Sequence, residues 1–395
     1  MDSRISENII YVGVDNPSAS RFEAQYALPR GMSYNSYVVL DTHTAILDCV
    51  EADLYDRWLG NVEAALGSGR EPAYLVVHHM EPDHSGSIAR AMHRWPQMQI
   101  VTSAKAADML RAFFPAHDWT GRITTVKEGD TLGLGRHTLR FMAAPMVHWP
   151  EVMVSWLESE RVLFSADAFG KFGAIQYADD WAPEAARYYI NIVGKYGPQV
   201  QALLKKVAPL DVAVVAPLHG PVLRGHEIAR AIDLYNHWST YRPTCRGVLV
   251  AYASIYGGTR RTALALAAEL RRLGAGEVYT ADLTSTDQAE AIARAFRYDA
   301  MVVAAPTYDA GLYPAMHDFL YHLGIKNYRN RTVAIIENGS WAPMAGRKMR
   351  EMLQELPGIT ILDEMITIRS TPDPATADAI LRMATTLAGR PDPDK

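Results

Sequence analysis

Cysteine is scarce in this chain of 395 residues, and its scarcity excludes several kinds of metal site. Only Cys49 and Cys245 are present, and they are too far apart to form a C-x-x-C pair. A zinc ribbon, a rubredoxin-type iron site and an iron–sulfur cluster held by several cysteines of this chain are therefore excluded. So low a count also favours the reducing cytoplasm, where disulfides are rare.

Long apolar runs and an excess of positive charge are lacking too. No run of 18 apolar residues occurs, so we expect no membrane-spanning helix. The first residues, MDSRISENIIYVGVDN, do not follow the charged-then-apolar pattern of a signal peptide, and we expect none. The net charge is −5 at pH 7 without a long basic run, which argues against nucleic acid or an anionic membrane as the main partner.

What is present is the composition of a globular protein with more than one domain. Hydrophobic residues make up 49% and charged residues 21%, and 395 residues are too many for one ordinary core. The first half reads as short strands with interspersed helices, which predicts two sheets covered by helices. After Arg242-Pro243-Thr244, strand and helix alternate five times, which predicts a doubly wound parallel sheet. We place the two domains at residues 1–245 and 246–395.

The apolar patterns also predict the individual elements. In the first half the predicted strands are 36–40, 44–48, 73–77, 99–102, 140–143, 153–156, 162–165 and 212–216, with helices at 54–66, 88–95, 104–114 and 183–208. In the second half the predicted strands are 248–252, 278–282, 300–305, 333–337 and 361–368, with helices at 260–273, 287–297, 315–323, 342–356 and 374–387.

Side chains that commonly bind metals crowd the stretch VVHHMEPDHSG, directly after a strand-like segment. His79, Glu81 and Asp83 alternate as in an extended loop, and His84 follows them. A tight loop after a strand can turn such residues toward one point. His78 is interpreted as a neighbour without a ligand role.

Three more residues of these types follow other apolar strands. They are His148 in APMVHWPE, Asp167 in VLFSADAFG and His219 in VVAPLHGP. Alone, Asp167 would be interpreted as a turn or cap residue, but seven side chains of ligand type at four strand ends favour one metal centre. The other histidines have no such companions and are predicted to be surface or packing residues: His43, His93, His117, His137, His226 and His237.

The pattern H-x-[EH]-x-D-H, followed by H, D and H at later strand ends, resembles the metallo-β-lactamase superfamily. Its fold is an αββα sandwich with a dinuclear metal site at the edge of the two sheets. Hydrolases of that superfamily usually show H-x-H-x-D-H, whereas this chain has Glu81 in place of the second histidine. With that change, HMEPDHSGS resembles the flavodiiron proteins, as do GMSYNSYVVLD, PMVHWPEVM, LFSADAFG and APLHGP, over nearly the full chain.

The resemblance implies a ligand set for two irons. One iron would take His79, Glu81 and His148, the other Asp83, His84 and His219, with Asp167 as the bridge. Some family members leave the histidine corresponding to His84 unbound, so both states of that residue stay open. Beside the metals, Tyr26 and Trp149 either shape a gas pocket or pack around the ligands.

Glu81 itself favours iron on chemical grounds. Imidazole-rich sites suit zinc, while harder carboxylate oxygens suit iron that must reach the ferric state. Glu81, Asp83 and Asp167 together would offset most of the charge of a diferrous pair.

A second candidate site begins at Ser254-Ile255-Tyr256-Gly257-Gly258-Thr259, between a predicted strand and a helix. Hydroxyls, backbone amides and a helix N-terminus can hold a phosphate there. The loop is neither G-x-G-x-x-G nor a Walker loop, which disfavours a dinucleotide or triphosphate. Its S-x-x-G-x-T pattern resembles the flavodoxin loop that holds the monophosphate of FMN.

Two further loops at predicted carboxyl ends of strands carry aromatic rings suited to a flat isoalloxazine, and they resemble the isoalloxazine loops of flavodiiron proteins. Ordinary packing is the alternative for each ring alone. The predicted FMN contacts in these two loops are Pro306, Thr307, Tyr308, Asp309, Ala310, Gly311, Asn338, Gly339, Ser340 and Trp341.

Electron counting joins the two sites. Reduction of O₂ to water takes four electrons, a diiron centre stores two, and FMN stores two more. The resemblance therefore implies reduction of O₂ to water, of NO to N₂O, or of both. It also implies a rubredoxin or a reduced deazaflavin coenzyme as electron donor, and a head-to-tail homodimer or a homotetramer.

Two alternatives differ in class. One is a metal-dependent hydrolase of the metallo-β-lactamase superfamily with an accessory flavodoxin module, which Glu81 disfavours. The other is a non-enzymatic electron carrier or redox sensor that has lost its metal, which the complete ligand set disfavours.

Overall fold

A computed structural model describes residues 3–177 and 180–391 of the chain. The chain divides into two compact units, Met1–Tyr189 with Pro198–Tyr235, and Ile190–Gly197 with Asn236–Lys395. The domain limits at residues 245 and 246 stay a prediction. Within the described residues, none of the helices combines the length and the apolar character needed to cross a bilayer.

The first unit is built from short strands and a few helices. Its strands are β1 Ile9–Tyr11, β2 Val14–Asn16, β3 Arg21–Phe22, β4 Tyr26–Ala27, β5 Met32–Tyr34, β6 Tyr37–Val39, β7 Ala45–Leu47, β8 Tyr74–Val77, β9 Gln99–Ser103, β10 Ile123–Val126, β11 Thr131–Gly133, β12 Thr138–Ala143, β13 Met153–Leu157, β14 Val162–Phe164, β15 Val214–Ala216 and β16 Leu223–Arg224. The α-helices of this part of the chain are α1 Tyr55–Leu66, α2 Pro82–Ser85, α3 Ile88–Arg94, α4 Ala104–Phe113, α5 Trp181–Tyr188, α6 Gly197–Val207 and α7 His226–Ser239.

Two six-stranded sheets form the core of this unit. The first sheet has the order β1-β6-β7-β8-β9-β10 and the second β11-β12-β13-β14-β15-β16. Apolar side chains of both sheets share one buried cluster, and the rings of Tyr37 on β6 and Phe164 on β14 lie 5.4 Å apart. The strands read as continuous apolar runs because these positions are buried, and the predicted sandwich is confirmed.

Strand direction places the ends of several strands at one edge. In the second sheet β12 and β14 are both antiparallel to β13, and β15 is parallel to β14. The carboxyl ends of β12, β14 and β15 therefore point the same way. The segments that carry His148, Asp167 and His219 all follow these ends.

The helix predicted over residues 183–208 is wrong as a single element. After α5 the chain forms a π-helical turn at Tyr189–Val193 and a 3₁₀ turn at Gly194–Tyr196 before α6 begins. The apolar spacing runs through the whole segment, which hides the break. At Gly197 a side chain would overlap the carbonyl oxygen of Ser239, and Pro198 is tolerated only because it lies in the first turn of α6.

The second unit alternates strand and helix, as predicted. Its strands are β17 Cys245–Tyr252, β18 Glu277–Asp282, β19 Tyr298–Tyr308, β20 Gly311–Leu312, β21 Thr332–Asn338, β22 Thr360–Ile361 and β23 Ile366–Ile368. Its helices are α8 Gly258–Arg272, α9 Gln288–Arg297, α10 Pro314–Ile325, α11 Ala345–Gln354 and α12 Pro374–Ala388.

The main sheet of this unit is parallel and has the order β18-β17-β19-β21, with both β22 and β23 paired to β21. This is the flavodoxin-type order, and the predicted doubly wound sheet is confirmed. The single strand predicted at 361–368 is wrong, because the exposed pair Asp363-Glu364 leaves the sheet between β22 and β23. Strand β19 also extends beyond the predicted 300–305, so Pro306 and Thr307 lie within a strand.

Candidate metal centre and flavin cleft

Seven side chains of the first unit form two adjoining groups of metal-ligand type. Their donor atoms lie within 4.8 Å of one another in each group, and all seven residues are buried. The first group comprises His79, Glu81, His148 and Asp167, and the second comprises Asp83, His84 and His219. The fold thus brings together every residue that the sequence nominated as a metal ligand.

Asp167 faces both groups with different oxygens. Its Oδ2 lies 3.4 Å from His79 Nε2 and 3.2 Å from His148 Nε2, whereas its Oδ1 lies 3.3 Å from His84 Nε2. Glu81 Oε2 closes the first group at 3.0 Å from His148 Nε2. A carboxylate with one oxygen in each group has the arrangement of a bridging ligand.

The second group is equally tight. Asp83 Oδ2 lies 3.3 Å from Nε2 of both His84 and His219, and these two Nε2 atoms are 3.1 Å apart. Ligand atoms that share one ion, each about 2.1 Å from it, lie roughly 3.0–3.4 Å apart. The position of His84 therefore allows it to bind a metal together with Asp83 and His219.

Buried oxygens that accept no hydrogen bond indicate that the site fits cations. Both carboxylate oxygens of Asp83 and of Asp167 are buried, and within residues 3–177 and 180–391 they accept no hydrogen bond. Buried carboxylates normally accept hydrogen bonds or bind metal, because a bare buried charge is costly. A pair of cations would satisfy these oxygens, and the mixed imidazole and carboxylate donors suit iron.

The ionisable groups hold one another in charged forms when no metal competes. Burial lowers the pKa of His79, but Asp167, Glu151 and Glu81 outweigh it and raise that pKa well above the usual range. The pKa of His148 is likewise raised to about 9, because Asp167 and Glu81 outweigh its burial. Metal ligation replaces such protons, so metal binding here would release them.

Strained backbone accompanies the ligands. Met146, two residues before His148, has φ 64°, and Ala166, next to Asp167, has φ 50°. Left-handed conformations of non-glycine residues cost about 1–3 kcal/mol each and cluster at functional sites. Both residues are near ligands in the sequence, so this strain lies in the loops that carry His148 and Asp167.

Aromatic side chains surround the two groups. Trp149 lies 5.3 Å from the His79 ring, and Tyr188 lies 5.5 Å from the His219 ring. Tyr26 lies farther out, 6.2 Å from the ring of Phe172. Trp149 therefore borders the ligands directly, while Tyr26 is linked to His219 through the rings of Phe172 and Tyr188.

Sequence reasoning missed Tyr188 and Glu151. The hydroxyl of Tyr188 is buried without a partner in the described residues, and burial, then Asp167, Glu81 and Asp83, raises its pKa well above the usual range. Glu151 Oε1 accepts a hydrogen bond from His79 Nδ1 at 2.8 Å. A lone tyrosine in a helix carries no signal, and the position of Glu151 beside His148 does not indicate its contact with His79.

His78 lies outside both groups, in keeping with its interpretation as a neighbour. Its Nδ1 lies 2.6 Å from Asp48 Oδ2 and its Nε2 lies 2.8 Å from Ser155 Oγ. Asp48 follows β7, whereas Ser155 belongs to β13 of the other sheet. This buried chain of hydrogen bonds ties the two sheets together directly beside the metal ligands.

The candidate flavin cleft lies in the second unit at the carboxyl ends of its parallel strands. Gly257, with φ 85°, ends the loop after β17, and a side chain on Gly258 would overlap the carbonyl oxygen of Ser370. Ser254 Oγ accepts hydrogen bonds from the backbone amides of Gly257 and Arg260 at 3.1 and 3.3 Å. The hydroxyl hydrogen of Ser254 can still be donated to a ligand. This tight turn presents several backbone amides, which can bind a phosphate.

Several predicted flavin contacts also join the loops to one another. Asn338 Nδ2 lies 3.3 Å from Thr259 Oγ1, and Thr307 Oγ1 accepts the amide of Met344 at 2.8 Å. Asp309 and Ala310 form the two-residue turn between β19 and β20, both with positive φ. Pro306 is buried in β19. Ser340 bonds through its hydroxyl to that of Ser370.

Aromatic and apolar side chains lie open beside this framework. Tyr256 is 94% exposed and Trp341 is 88% exposed. A cleft of about 490 Å³ is lined by Ile255, Leu283, Thr284, Tyr308, Tyr313, Pro314 and Ala315. Its volume fits a flat ring system of flavin size. Leu283 and Thr284 were not predicted, although they follow β18, whose parallel pairing with β17 puts them at the same edge.

Comparison with known proteins identifies the fold of both units. A family model described as ODP family beta lactamase matches residues 32–220. The fold and the paired ligand groups thus define a metallo-β-lactamase-type domain joined to a flavodoxin-like one. The solved structure of rubredoxin oxygen:oxidoreductase from Desulfovibrio gigas aligns with a TM-score of 0.91 at 26% identity, covering 98% of each chain.

Two curated relatives extend the likeness along the sequence. The coenzyme F420H(2) oxidase of Methanothermobacter marburgensis is 30% identical, over 89% of this chain and 90% of the relative. The nitric oxide reductase of Moorella thermoacetica is 28% identical, over 89% of each. The chain belongs to the flavodiiron protein family.

Proposed function

We propose that this chain is a flavodiiron oxidoreductase that reduces O₂ to water, NO to N₂O, or both, at a non-haem diiron centre fed by FMN. The observation that carries the proposal is the Asp167 carboxylate, whose two oxygens face two separate, buried groups of ligand type. Similarity to an oxygen oxidoreductase, an F420H(2) oxidase and a nitric oxide reductase supports both substrates.

In this proposal the seven side chains hold two irons. His79, Glu81 and His148 bind the first iron, and the second iron takes the ligands Asp83, His84 and His219. Asp167 bridges them. When bound, the irons and FMN together supply up to four electrons, the number that complete reduction of O₂ requires.

The residues around the ligands fix them and keep out bulk water. His79 and His219 each donate Nδ1–H to an oxygen, of Glu151 at 2.8 Å and of the Ser33 carbonyl at 2.7 Å, so each leaves the Nε2 lone pair for metal. The rings of Trp149 and Tyr188 pack against the ligand histidines. An enclosed site of this kind suits a small apolar gas and limits the loss of partly reduced products.

The second unit holds FMN in this proposal. Ser254 to Thr259 bind the phosphate, and the cleft beside Tyr308 and Tyr313 takes the isoalloxazine ring. In this proposal the exposed ring of Trp341 stacks on the flavin, and the exposed ring of Tyr256 is available to a second copy of the chain. We propose that the working form is a head-to-tail homodimer or a homotetramer, in which one chain's FMN serves its partner's irons.

Electrons come from outside the chain, from a reduced rubredoxin or a reduced deazaflavin coenzyme, and the proposed location is the cytoplasm. The names of two relatives, a rubredoxin-oxygen oxidoreductase and a coenzyme F420H(2) oxidase, contain these donors. The functional division at residues 245 and 246 remains part of the proposal.

Anaerobic purification and metal analysis test the function directly. We expect two irons and one FMN per chain, and consumption of O₂ or NO when reduced rubredoxin or F420H₂ is supplied. Comparing the two gases with each donor ranks the substrates. Stoichiometric zinc without iron, from cells grown with ample iron and no oxygen, would overturn the proposal in favour of a hydrolase. FMN without any metal would instead indicate an electron carrier.

A further inference from the structure

The two ligand groups differ in what lies behind their histidines. Behind His79 the acceptor is a carboxylate, Glu151, whose Oε1 accepts both His79 Nδ1–H at 2.8 Å and the amide of Met80 at 2.9 Å. Behind His219 the acceptor is a neutral peptide carbonyl, that of Ser33. The first group therefore has one carboxylate more than its direct ligands provide.

Glu151 is held in a fixed position by the fold. It is 2% exposed and lies in the segment between β12 and β13, three residues after His148. Its backbone carbonyl accepts a hydrogen bond from Ser103 Oγ, at the end of β9 in the other sheet, at 2.9 Å. Both sheets thus fix the carboxylate against the His79 ring.

A carboxylate behind a ligand imidazole has two effects on the metal. It fixes the tautomer and the ring orientation, and it makes the imidazole a stronger donor. A carbonyl fixes the ring as well but adds no net charge. The buried charge of Glu151 is also weakly screened, so it favours the more positive state of a nearby ion.

We propose that Glu151 is a positioning residue that sets the first metal position apart from the second. Through His79 it makes the position of His79, Glu81 and His148 the tighter of the two, and the one at which ferric iron is harder to reduce. The inference rests on the proposed diiron function, but it concerns metal affinity and reduction potential, not turnover.

The test compares E151Q with the matched variant E128Q. The glutamine keeps the shape and an acceptor oxygen for His79 Nδ1–H but removes the charge. Glu128 is exposed, and its Oε2 bonds to Lys206 and to the amide of Ala143, so E128Q removes a glutamate charge without touching a ligand. Thermal unfolding of both variants shows whether the fold is kept.

The measurements are iron retained against a competing chelator and the reduction potentials of the irons, followed by electron paramagnetic resonance. We expect E151Q to lose affinity at one of the two positions by roughly 10–100-fold, and to raise one potential. E128Q is expected to match the wild type. E151D tests rescue, and we expect a carboxylate to restore the potential further than the amide does.

Ligand variants identify the position that responds. In an H219A background the first position remains, and adding E151Q should weaken it; in an H148A background the same addition should leave the second position unchanged. Equal effects in both backgrounds, or wild-type affinity and potentials in E151Q, would overturn the assignment. Failure of the wild-type chain to bind two irons would refute the proposed function instead, so the two failures are distinguishable.

Discussion

The metal centre and the flavin cleft are built by opposite means. The metal centre consists of buried side chains from separate loops, with Asp167 at 0% exposure. The flavin cleft consists largely of backbone turns, while its rings at Tyr256 and Trp341 are almost fully exposed. Substitutions that alter side-chain chemistry should therefore reduce metal binding most strongly. Substitutions that add bulk next to the backbone should reduce FMN binding most strongly.

The strongest test of this contrast is D167A. Removing the residue that faces both groups should release both irons, with a loss of affinity above the roughly 100-fold upper figure for residues that only support ligands. FMN should remain bound, because its site lies in the other unit. Metal and flavin analysis of the same sample measures both results, and retention of two irons by D167A would contradict the bridging role.

A smaller effect is expected for E81H, which creates the H-x-H-x-D-H pattern. Histidine raises the net charge of the site by one unit and replaces a hard oxygen donor with imidazole. We expect iron to be lost in favour of zinc and reductase activity to fall by at least about tenfold. A variant that keeps both iron and normal activity would refute the charge argument.

At the flavin cleft, G258A should act only through steric overlap. A methyl group there overlaps the carbonyl of Ser370 and must displace the loop, at about 1–3 kcal/mol, with loss of FMN affinity. In G60A, on α1, the added methyl meets no atom within 4 Å. Thermal unfolding and FMN titration should therefore show a defect in G258A and none in G60A.

The smallest effect is expected for W341A. An exposed ring that stacks on flavin contributes about 0.5–1.5 kcal/mol beyond its buried area, which corresponds to a loss of FMN affinity of roughly 2- to 10-fold. Tyr321, 53% exposed on α10, gives the matched control Y321A. Equal FMN affinities for the two variants, measured by fluorescence titration, would remove Trp341 from the site.

The sequence predicted the fold and the ligand types better than it predicted the roles of single residues. Apolar strands ending in His, Asp or Glu predicted the metal centre because strand ends meet at a sheet edge. The interruption between α5 and α6 was missed because apolar spacing continues through the π-helical turn. Thr307 and Asn338 stay predicted FMN contacts, and the hydrogen bonds that their side chains form between loops depend on tertiary contacts that the sequence does not show.

Glu151 and Tyr188 escaped prediction for another reason. Neither residue belongs to a repeating pattern, and each acquires its importance from a partner distant in sequence, His79 or His219. Only folding brings such pairs together. Local sequence can therefore nominate ligands, but not the residues that orient or enclose them.

The slight exposure of Glu81 and Asp83 means that one side of the metal centre faces solvent. Each is 8% exposed and His148 is 6% exposed, while His79, His84, Asp167 and His219 are all at 0%. Ions and gases arriving from solvent thus meet one carboxylate of each group before any wholly buried ligand. Glu81 and Asp83 lie on the same loop, so a ligand or inhibitor that blocks this loop should slow metal exchange at the two positions together.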